Sequence, residues 1–423
     1  MTEGMHRPWP EIRPEDREAV TAVLDRGTLF GPTAPEIAAL ERDWAAYLGR
    51  NHCVATNSGT AALHCALAAV GVRPGDEVIV PAFTFVATAL SVLHQGARPV
   101  FCDVDPRTFN LDPGRVEELV TDRTTAIMPV HLHGLPADMD EILAIAERNG
   151  LAVVEDAAQA HGATYRGRKV GTLGACAGFS LNTTKTLPGG EGGLFVTDDE
   201  DAWLVARRLS NFGEDVPPAG ADAFRPYLAH GIGWMYRSHE LPAAFARSQL
   251  RRLDGYVETA RRNASILTEG LRDLPGLVPP YVPNDRTHTF HKYRLRLDPE
   301  ALGLEGRVGR VEFRDRMLRA LRAEGVEAVL WQFVPLPALP VFRRAEATTW
   351  HPRIADEPAP WRPEDHPVAV EVLETSIVVG SERYPLAVQD ATLMERYVDA
   401  FAKVLGDLDA LLAAPYEPIV HPV

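Results

Sequence analysis

Lys185 is flanked by the residue types that carbonyl–amine chemistry requires. Upstream, Val153-Val154-Glu155-Asp156-Ala157-Ala158-Gln159-Ala160-His161-Gly162 reads as an apolar strand that ends in an acid and opens into small residues. Further on, Gly178-Phe179-Ser180-Leu181-Asn182-Thr183-Thr184-Lys185 leads into the loop Gly189-Gly190-Glu191-Gly192-Gly193. An acid at a strand end, followed by a serine five positions before a lysine, is the arrangement that pyridoxal 5'-phosphate needs. The lysine forms the Schiff base, and the acid pairs with the pyridinium nitrogen so that the ring can accept electrons. Once released by an incoming amine, the lysine can carry a proton between substrate carbon and cofactor. Gln159 is placed to hydrogen-bond the cofactor's phenolic oxygen. The 29 residues between acid and lysine (185 − 156) leave room for a turn, a hairpin-like segment (164–174) and one more strand. Both groups can therefore face one cleft.

Two further motifs gain meaning from that pair. Asn57-Ser58-Gly59-Thr60-Ala61-Ala62-Leu63 follows a strand and opens a helix. Small residues there let the backbone approach a phosphate, which the helix start attracts. In isolation an ordinary N-cap by Ser58 or Thr60 is the commoner explanation. In Pro81-Ala82-Phe83-Thr84-Phe85, either phenylalanine could form a platform for a flat ring, although such pairs more often belong to the core.

These residues must be held by elements, and the elements alternate. Helical patterns at 16–27 and 35–49 precede apolar strands at 52–55, 77–80, 99–104, 126–130, 151–155, 178–181 and 193–196. Helical stretches at 61–70, 86–95 and 139–149 separate several of them. This predicts an α/β fold with a mainly parallel sheet covered on both faces. Ligands of such sheets sit beyond the strand C-termini, where 57–60, 81–85 and Asp156 all lie. A long helical region at 240–267, a strand at 294–297, a helix at 307–324 and a closing helix at 389–412 complete the pattern. An N-terminal arm (1–14), a large domain (15–270) and a smaller α+β C-terminal domain (271–423) are expected, because single cores stop growing at roughly 250–300 residues. Residues 213–231 and 343–368 are irregular, and the second is dense in Pro, Trp and His. Such long loops are commonly functional.

The composition of the 423 residues is ordinary for a globular protein, and the net charge of −15 argues against nucleic acid and anionic membranes as partners. No apolar run approaches a membrane span. Cys53, Cys65, Cys102 and Cys176 show no metal-ligand or redox spacing and sit in apolar segments, so small buried hydrophobes and no metal site are expected. The N-terminus has no apolar signal core, and a reduced, cytoplasmic setting is expected.

The chain resembles the DegT/DnrJ/StrS group of sugar aminotransferases, of fold type I, from about residue 8 to 412. Gly31-Pro32 with Glu41, 57–63, 81–88, Pro129-Val130-His131-Leu132-His133-Gly134, 155–163, 179–193, and Glu240-Leu241 with Gln249-Leu250 carry the resemblance. It implies Lys185 as Schiff-base lysine, Asp156 as pyridinium partner and Gln159 at the phenolic oxygen. Gly59, Thr60 and Ser180 would bind phosphate, Phe85 would stack on the ring, and Phe30, His288 and His291 would lie near substrate. For the two histidines, a solvated surface strand is the equal alternative. The resemblance also implies a homodimer with shared active sites, through Gly233-Trp234-Met235-Tyr236-Arg237. Many members carry asparagine where Met235 stands, so Arg237 or Tyr236 would take over its phosphate contact, or the phosphate has one contact fewer. A dehydratase branch has histidine in place of the lysine, and Lys185 argues against it. The implied reaction is transfer of an amino group from L-glutamate or L-glutamine to a keto group of a sugar, cyclitol or related secondary-metabolite intermediate. The two irregular segments suggest a remodelled acceptor pocket. The alternatives are other pyridoxal chemistry (elimination, decarboxylation or condensation) and a non-catalytic homologue that binds the cofactor.

Overall fold

The computed structural model describes residues 4–31, 34–216, 228–343 and 362–419. Its first nine strands are β1 (His52–Thr56), β2 (Glu77–Pro81), β3 (Arg98–Cys102), β4 (Thr124–Ile127), β5 (Ala152–Asp156), β6 (Thr164–Tyr165), β7 (Arg168–Lys169), β8 (Cys176–Ser180) and β9 (Gly193–Thr197). Seven of them form one sheet in the order β1-β9-β8-β5-β4-β2-β3. β9 runs antiparallel to both its neighbours, and every other pairing is parallel. The mainly parallel sheet expected from the alternation is therefore present, and the fold is α/β.

Burial on both faces explains why these strands read as near-continuous apolar runs. Along β9, Leu194 and Val196 pack into one core while Phe195 packs into the other. β1 splits likewise, with Cys53 and Ala55 on one face and Val54 on the opposite one. The helix after β1, Gly59–Ala69, buries residues all around its circumference, which fits its lack of charge. All four cysteines are buried and unbonded, as their apolar settings require.

The remaining strands are β10 (Leu277–Val278), β11 (Arg286–Thr287), β12 (Tyr293–Leu297), β13 (Ala328–Val329) and β14 (Ser376–Val379). Four make an antiparallel sheet in the order β10-β12-β14-β13. Its core takes Leu295 and Ile377 from the strands, Phe313 and Met317 from helix Arg310–Ala323, and Tyr397 and Phe401 from helix Ala391–Leu405. Helix Leu253–Leu271 and Trp9 from the N-terminal segment bury their apolar groups in the same core. The exception is β11, which pairs with β6 and so stitches the C-terminal region to the end of the large sheet.

Two helices read as continuous in the sequence are broken. The stretch expected at 240–267 divides into Glu240–Leu250 and Leu253–Leu271. Between them lie Arg251 and Arg252, and the Arg252 guanidinium pairs with Asp16 at 2.7 Å and Glu15 at 3.0 Å in the first helix, Pro14–Arg26. The closing helix stops at Leu405, and Asp407 caps the short continuation Leu408–Ala413 through Ala410 N–H at 3.0 Å. Glu240 has a capping role as well. Its buried carboxylate accepts from Glu36 and Ile37 N–H at 2.8 and 2.9 Å, closing a helix start (Pro35–Leu48) whose own cap residue is alanine.

The irregular segments noted in the sequence extend over residues 217–227 and 344–361, which lie outside the described residues along with Trp350, His351, Arg353 and Trp361. Among the described residues, no helix is long and apolar enough to cross a membrane.

Candidate active site

The C-terminal ends of β1, β5 and β8 converge on one cavity of about 370 Å³. Close approach there depends on glycine. A Cβ on Gly59 would sit 2.7 Å from the Cβ of Ser180, so the turn after β1 can touch the end of β8 only without a side chain. A Cβ on Gly193 would collide with the carbonyl of Ser58. Ser58 caps the helix by accepting from Ala61 N–H at 3.1 Å. The N–H groups of the first turn have no partner within the helix, so they and the helix dipole favour an anion at Gly59 and Thr60. Ser180 stands at the same spot from the facing strand, its hydroxyl 3.3 Å from Asn182 N–H.

Asp156 ends β5 and is 4% exposed. One carboxylate oxygen accepts from Thr88 Oγ1 at 2.7 Å and the other from Ala158 N–H at 3.1 Å. Burial pushes its pKa above the ordinary carboxylate value, although both hydrogen bonds and Lys185 oppose the shift. A buried carboxylate in this state calls for a cation. The protonated ring nitrogen of a pyridine would supply one.

Lys185 lies in a loop that closes on itself. Leu181 and Thr183 N–H donate to the carbonyls of Gly192 and Gly190, each at 2.8 Å, and Lys185 N–H donates to Asn182 at 2.9 Å. Trp9 reaches across from the N-terminal segment and donates its indole N–H to Thr183 O at 2.7 Å. Desolvation lowers the Lys185 pKa, with Asp156, Glu382 and Glu191 opposing. Loss of the proton is what a nucleophilic amine needs.

Gln159 lines the same cavity, and its Oε1 accepts from His133 N–H at 2.9 Å, which leaves Nε2 for the cavity. Phe85 lines it too and is 52% exposed, whereas Phe83 is buried against His133 and Trp331. Of the two phenylalanines, only Phe85 has a face available to a ring. His291 also reaches the cavity.

Three expected site residues lie elsewhere in the chain. Phe30 projects outward, 71% exposed. Arg237 faces a small hollow with Glu41, Arg207 and Asn211, its guanidinium 5.3 Å from the Phe212 ring centre. His288 is 4% exposed, stacks on Phe290 with centroids 3.9 Å apart, and borders a separate recess with Arg107 and Tyr281. A solvated surface strand is thereby overturned for His288. Its ring serves packing, and burial lowers its pKa to about 3.

The structure adds residues that the motifs did not announce. Thr88 is one. Lys292, Trp331 and Glu382 form a wall of the cavity supplied by the C-terminal region. Their segment docks where Thr289 N–H donates to Gly134 O at 3.0 Å, and a side chain on Gly134 would strike Thr289. Nothing local in the sequence signals this, because the contact joins residues about 155 positions apart.

Behind Asp156, Glu155 is fully buried and accepts N–H bonds from Gly171, Leu173 and Gly174, each at 2.7 Å. His131 adds a fourth contact at 2.9 Å. His131 Nδ1 accepts from Ala137 N–H at 3.1 Å, so Nε2 carries the proton donated to Glu155. Burial pushes the Glu155 pKa up, but His131 and the backbone donors more than offset it and the net shift is downward. The stability this carboxylate contributes is therefore present above its unfolded-state pKa and is lost as pH falls through the lowered folded value. Glu155→Ala should cost about 3–5 kcal/mol, since it strands buried donors. Urea unfolding at neutral pH checks this, and a loss below about 1 kcal/mol would refute the assignment.

A lysine, a buried acid and an anion cradle at the strand ends of an α/β sheet define an enzyme of the aminotransferase class. The sequence profile of the DegT/DnrJ/EryC1/StrS aminotransferase family matches residues 10–356. A GDP-perosamine synthase from Caulobacter vibrioides is 41% identical over 320 residues, 75% of this chain and 82% of that protein. An L-glutamine:2-deoxy-scyllo-inosose aminotransferase from Streptomyces lividus is 42% identical over 328 residues, 75% of each chain. The crystal structure of DesV from S. venezuelae, solved with a ketimine intermediate, superposes with a TM-score of 0.79 at 33% identity, covering 92% of this chain and 94% of that one. The chain belongs to the DegT/DnrJ/EryC1/StrS family and is an aminotransferase.

Proposed function

We propose that this aminotransferase uses pyridoxal 5'-phosphate and moves an amino group from L-glutamate or L-glutamine to a keto group of a sugar, cyclitol or related secondary-metabolite intermediate. The observation that carries the proposal is the single cavity shared by Lys185, Asp156 and the Gly59–Thr60 turn. The relatives' names, a perosamine synthase and a glutamine-dependent inosose aminotransferase, support the donor and acceptor classes.

When bound, the cofactor supplies an electron sink for the carbon that carries the nitrogen. Gly59 and Thr60 N–H with the Ser180 hydroxyl hold its phosphate. Asp156, oriented by Thr88 and Ala158, would pair with the ring nitrogen. Gln159 Nε2 donates to the phenolic oxygen, and Phe85 covers one face of the ring. Lys185 Nζ, its pKa lowered by desolvation, would take the proton from the donor's amino-bearing carbon and later deliver one to the acceptor's.

The protein works as a homodimer in the cytoplasm, with Arg237 reaching the partner's phosphate. Exposed apolar residues support the dimer: Ile232 is 87% exposed, and Trp234 and Met235 over 40%. They lie on the segment that runs beside the phosphate turn, where Asn57 N–H donates to Tyr236 O at 2.7 Å. The Tyr236 hydroxyl is turned inward to His64 Nδ1 at 3.2 Å, which leaves Arg237 to make the contact that Met235 cannot.

The test is spectroscopic. Protein reconstituted with pyridoxal phosphate should show the visible band of a lysine-bound cofactor. Adding L-glutamate or L-glutamine should bleach it and yield pyridoxamine phosphate with the matching 2-oxo acid. A band that ignores both amino acids refutes the donor, and no band refutes the cofactor.

A further inference from the structure

Lys292 is a charge the proposed chemistry does not use. Its side chain is 6% exposed, yet it lines the cavity that contains Lys185. Its carboxylate partner is Glu382, at 3.6 Å, a long contact for an ion pair. That pairing is one-sided, because the Glu382 side chain is 56% exposed. An ammonium has three donors to satisfy, and one long, half-exposed ion pair offsets little of the cost of burying it.

Its surroundings are also cationic. Two positions further on, within β12, Arg294 is buried and bonds only neutral groups: His133 Nε2 at 2.9 Å, Ser376 Oγ at 2.6 Å and Trp331 O at 3.0 Å. The last bond fixes Trp331, whose ring centre lies 5.3 Å from Lys292 Nζ. Lys292 N–H is itself pinned to His133 O at 3.3 Å. Lys292 thus presents positive charge to the cavity with the buried Arg294 near it, in a chain whose net charge is −15. Desolvation lowers the Lys292 pKa to about 8, so an anion arriving at Nζ relieves an existing penalty.

We infer that Lys292 is a specificity-determining residue, the docking cation for a carboxylate on a substrate of this aminotransferase. The inference rests on the cofactor reading above. A cavity of about 370 Å³ must hold the cofactor ring and the reacting end of the substrate together, so the anion at Lys292 lies within a few atoms of the reacting carbon. A carboxylate meets that limit, and an ammonium receives it as a compact point charge. The carboxylate belongs either to the amino donor or to the keto acceptor.

Unreactive analogues separate these sources by equilibrium binding. Wild type, Lys292→Met and Lys292→Arg, each loaded with pyridoxal phosphate, are titrated calorimetrically with glutarate, quinate and myo-inositol. Glutarate imitates a donor carboxylate, quinate a carboxylated ring acceptor, and myo-inositol a neutral ring. Lys292→Met should weaken glutarate or quinate about tenfold or more, the size of one charge-assisted hydrogen bond, and leave myo-inositol unchanged. Whichever carboxylate is affected names the source, and Lys292→Arg should restore most of that affinity. Equal affinities in wild type and Lys292→Met overturn the inference, as does a wild type that binds neither carboxylate more tightly than myo-inositol. Weakened cofactor affinity with carboxylate binding intact also overturns it, by assigning the charge to the cofactor. The visible cofactor band, recorded in all three proteins, keeps failure of this inference distinct from failure of the cofactor reading. If wild type lacks the band, both fall.

Discussion

Lys185→Ala is expected to lower turnover by more than about 10⁴-fold, because it removes the covalent anchor and the proton carrier together. The fold should survive. Lys185 sits at the cavity, and the backbone bonds that shape its loop run between Leu181, Thr183, Gly190 and Gly192. Desolvation lowers the lysine's pKa, so alanine also relieves a buried amine. Three readouts check the prediction: circular dichroism unchanged, the visible cofactor band absent, and steady-state rate lost. Added ethylamine should recover a measurable part of the rate, since a small amine can enter the vacated space and move the proton. Retention of more than about a hundredth of wild-type turnover would show that another group carries the chemistry, because a single proton carrier is worth at least about 100-fold.

How much of this was legible in the sequence depended on how local each signal was. β1, β5, β8 and β9 are buried on both faces, so each shows as a short apolar run whatever its partners are. Asp156, Ser180 and Lys185 lie within one strand–turn–strand passage, and the glycines that admit them are in the same passage or just after β1. Their convergence could be argued from spacing alone. Thr88 could have been found by asking what neutralises the second oxygen of a strand-end aspartate, because it lies on the helix just after Phe85.

Other features depend on contacts that no window of sequence contains. The helix expected at 240–267 breaks at Arg251–Arg252, where Arg252 pairs with Asp16 and Glu15, more than 230 positions away. Local propensity for Ala, Arg and Leu reads straight through that break. Lys292, Trp331 and Glu382 reach the cavity only because β11 joins β6 and Thr289 docks on Gly134. His288 is buried against Phe290 rather than solvated, a contact that depends on the fold around it. Phe30 and Arg237 lie apart from the cavity, one exposed and the other in a separate hollow.

Asp156→Asn is expected to separate stability from function, and its sign can be worked out beforehand. Burial raises the folded-state pKa of Asp156 above its unfolded value. The folded state therefore binds the extra proton more readily, and this carboxylate's contribution to stability declines as pH rises from the ordinary carboxylate range through the raised value. Asparagine has no such cost. Its carbonyl can still accept from Thr88 or Ala158, the two groups that hold Asp156 now. In cofactor-free protein at neutral pH, the variant should thus melt at the same temperature as wild type or above it. Cofactor binding should reverse the order. Without the charge that faces the ring nitrogen, the melting-temperature gain on adding pyridoxal phosphate should shrink, since that gain reports affinity for the folded state. Turnover should fall on the order of 10²–10³-fold, the usual loss when one preorganised charge is removed from a dry site. A variant less stable than wild type without cofactor would mean that Asp156 is held for structure. A variant with a normal cofactor-induced shift and normal rate would remove it from the ring nitrogen. Stabilised, weakly responsive and slow is the combination expected of a carboxylate kept at some cost to the fold for the sake of a cation that arrives only with the cofactor.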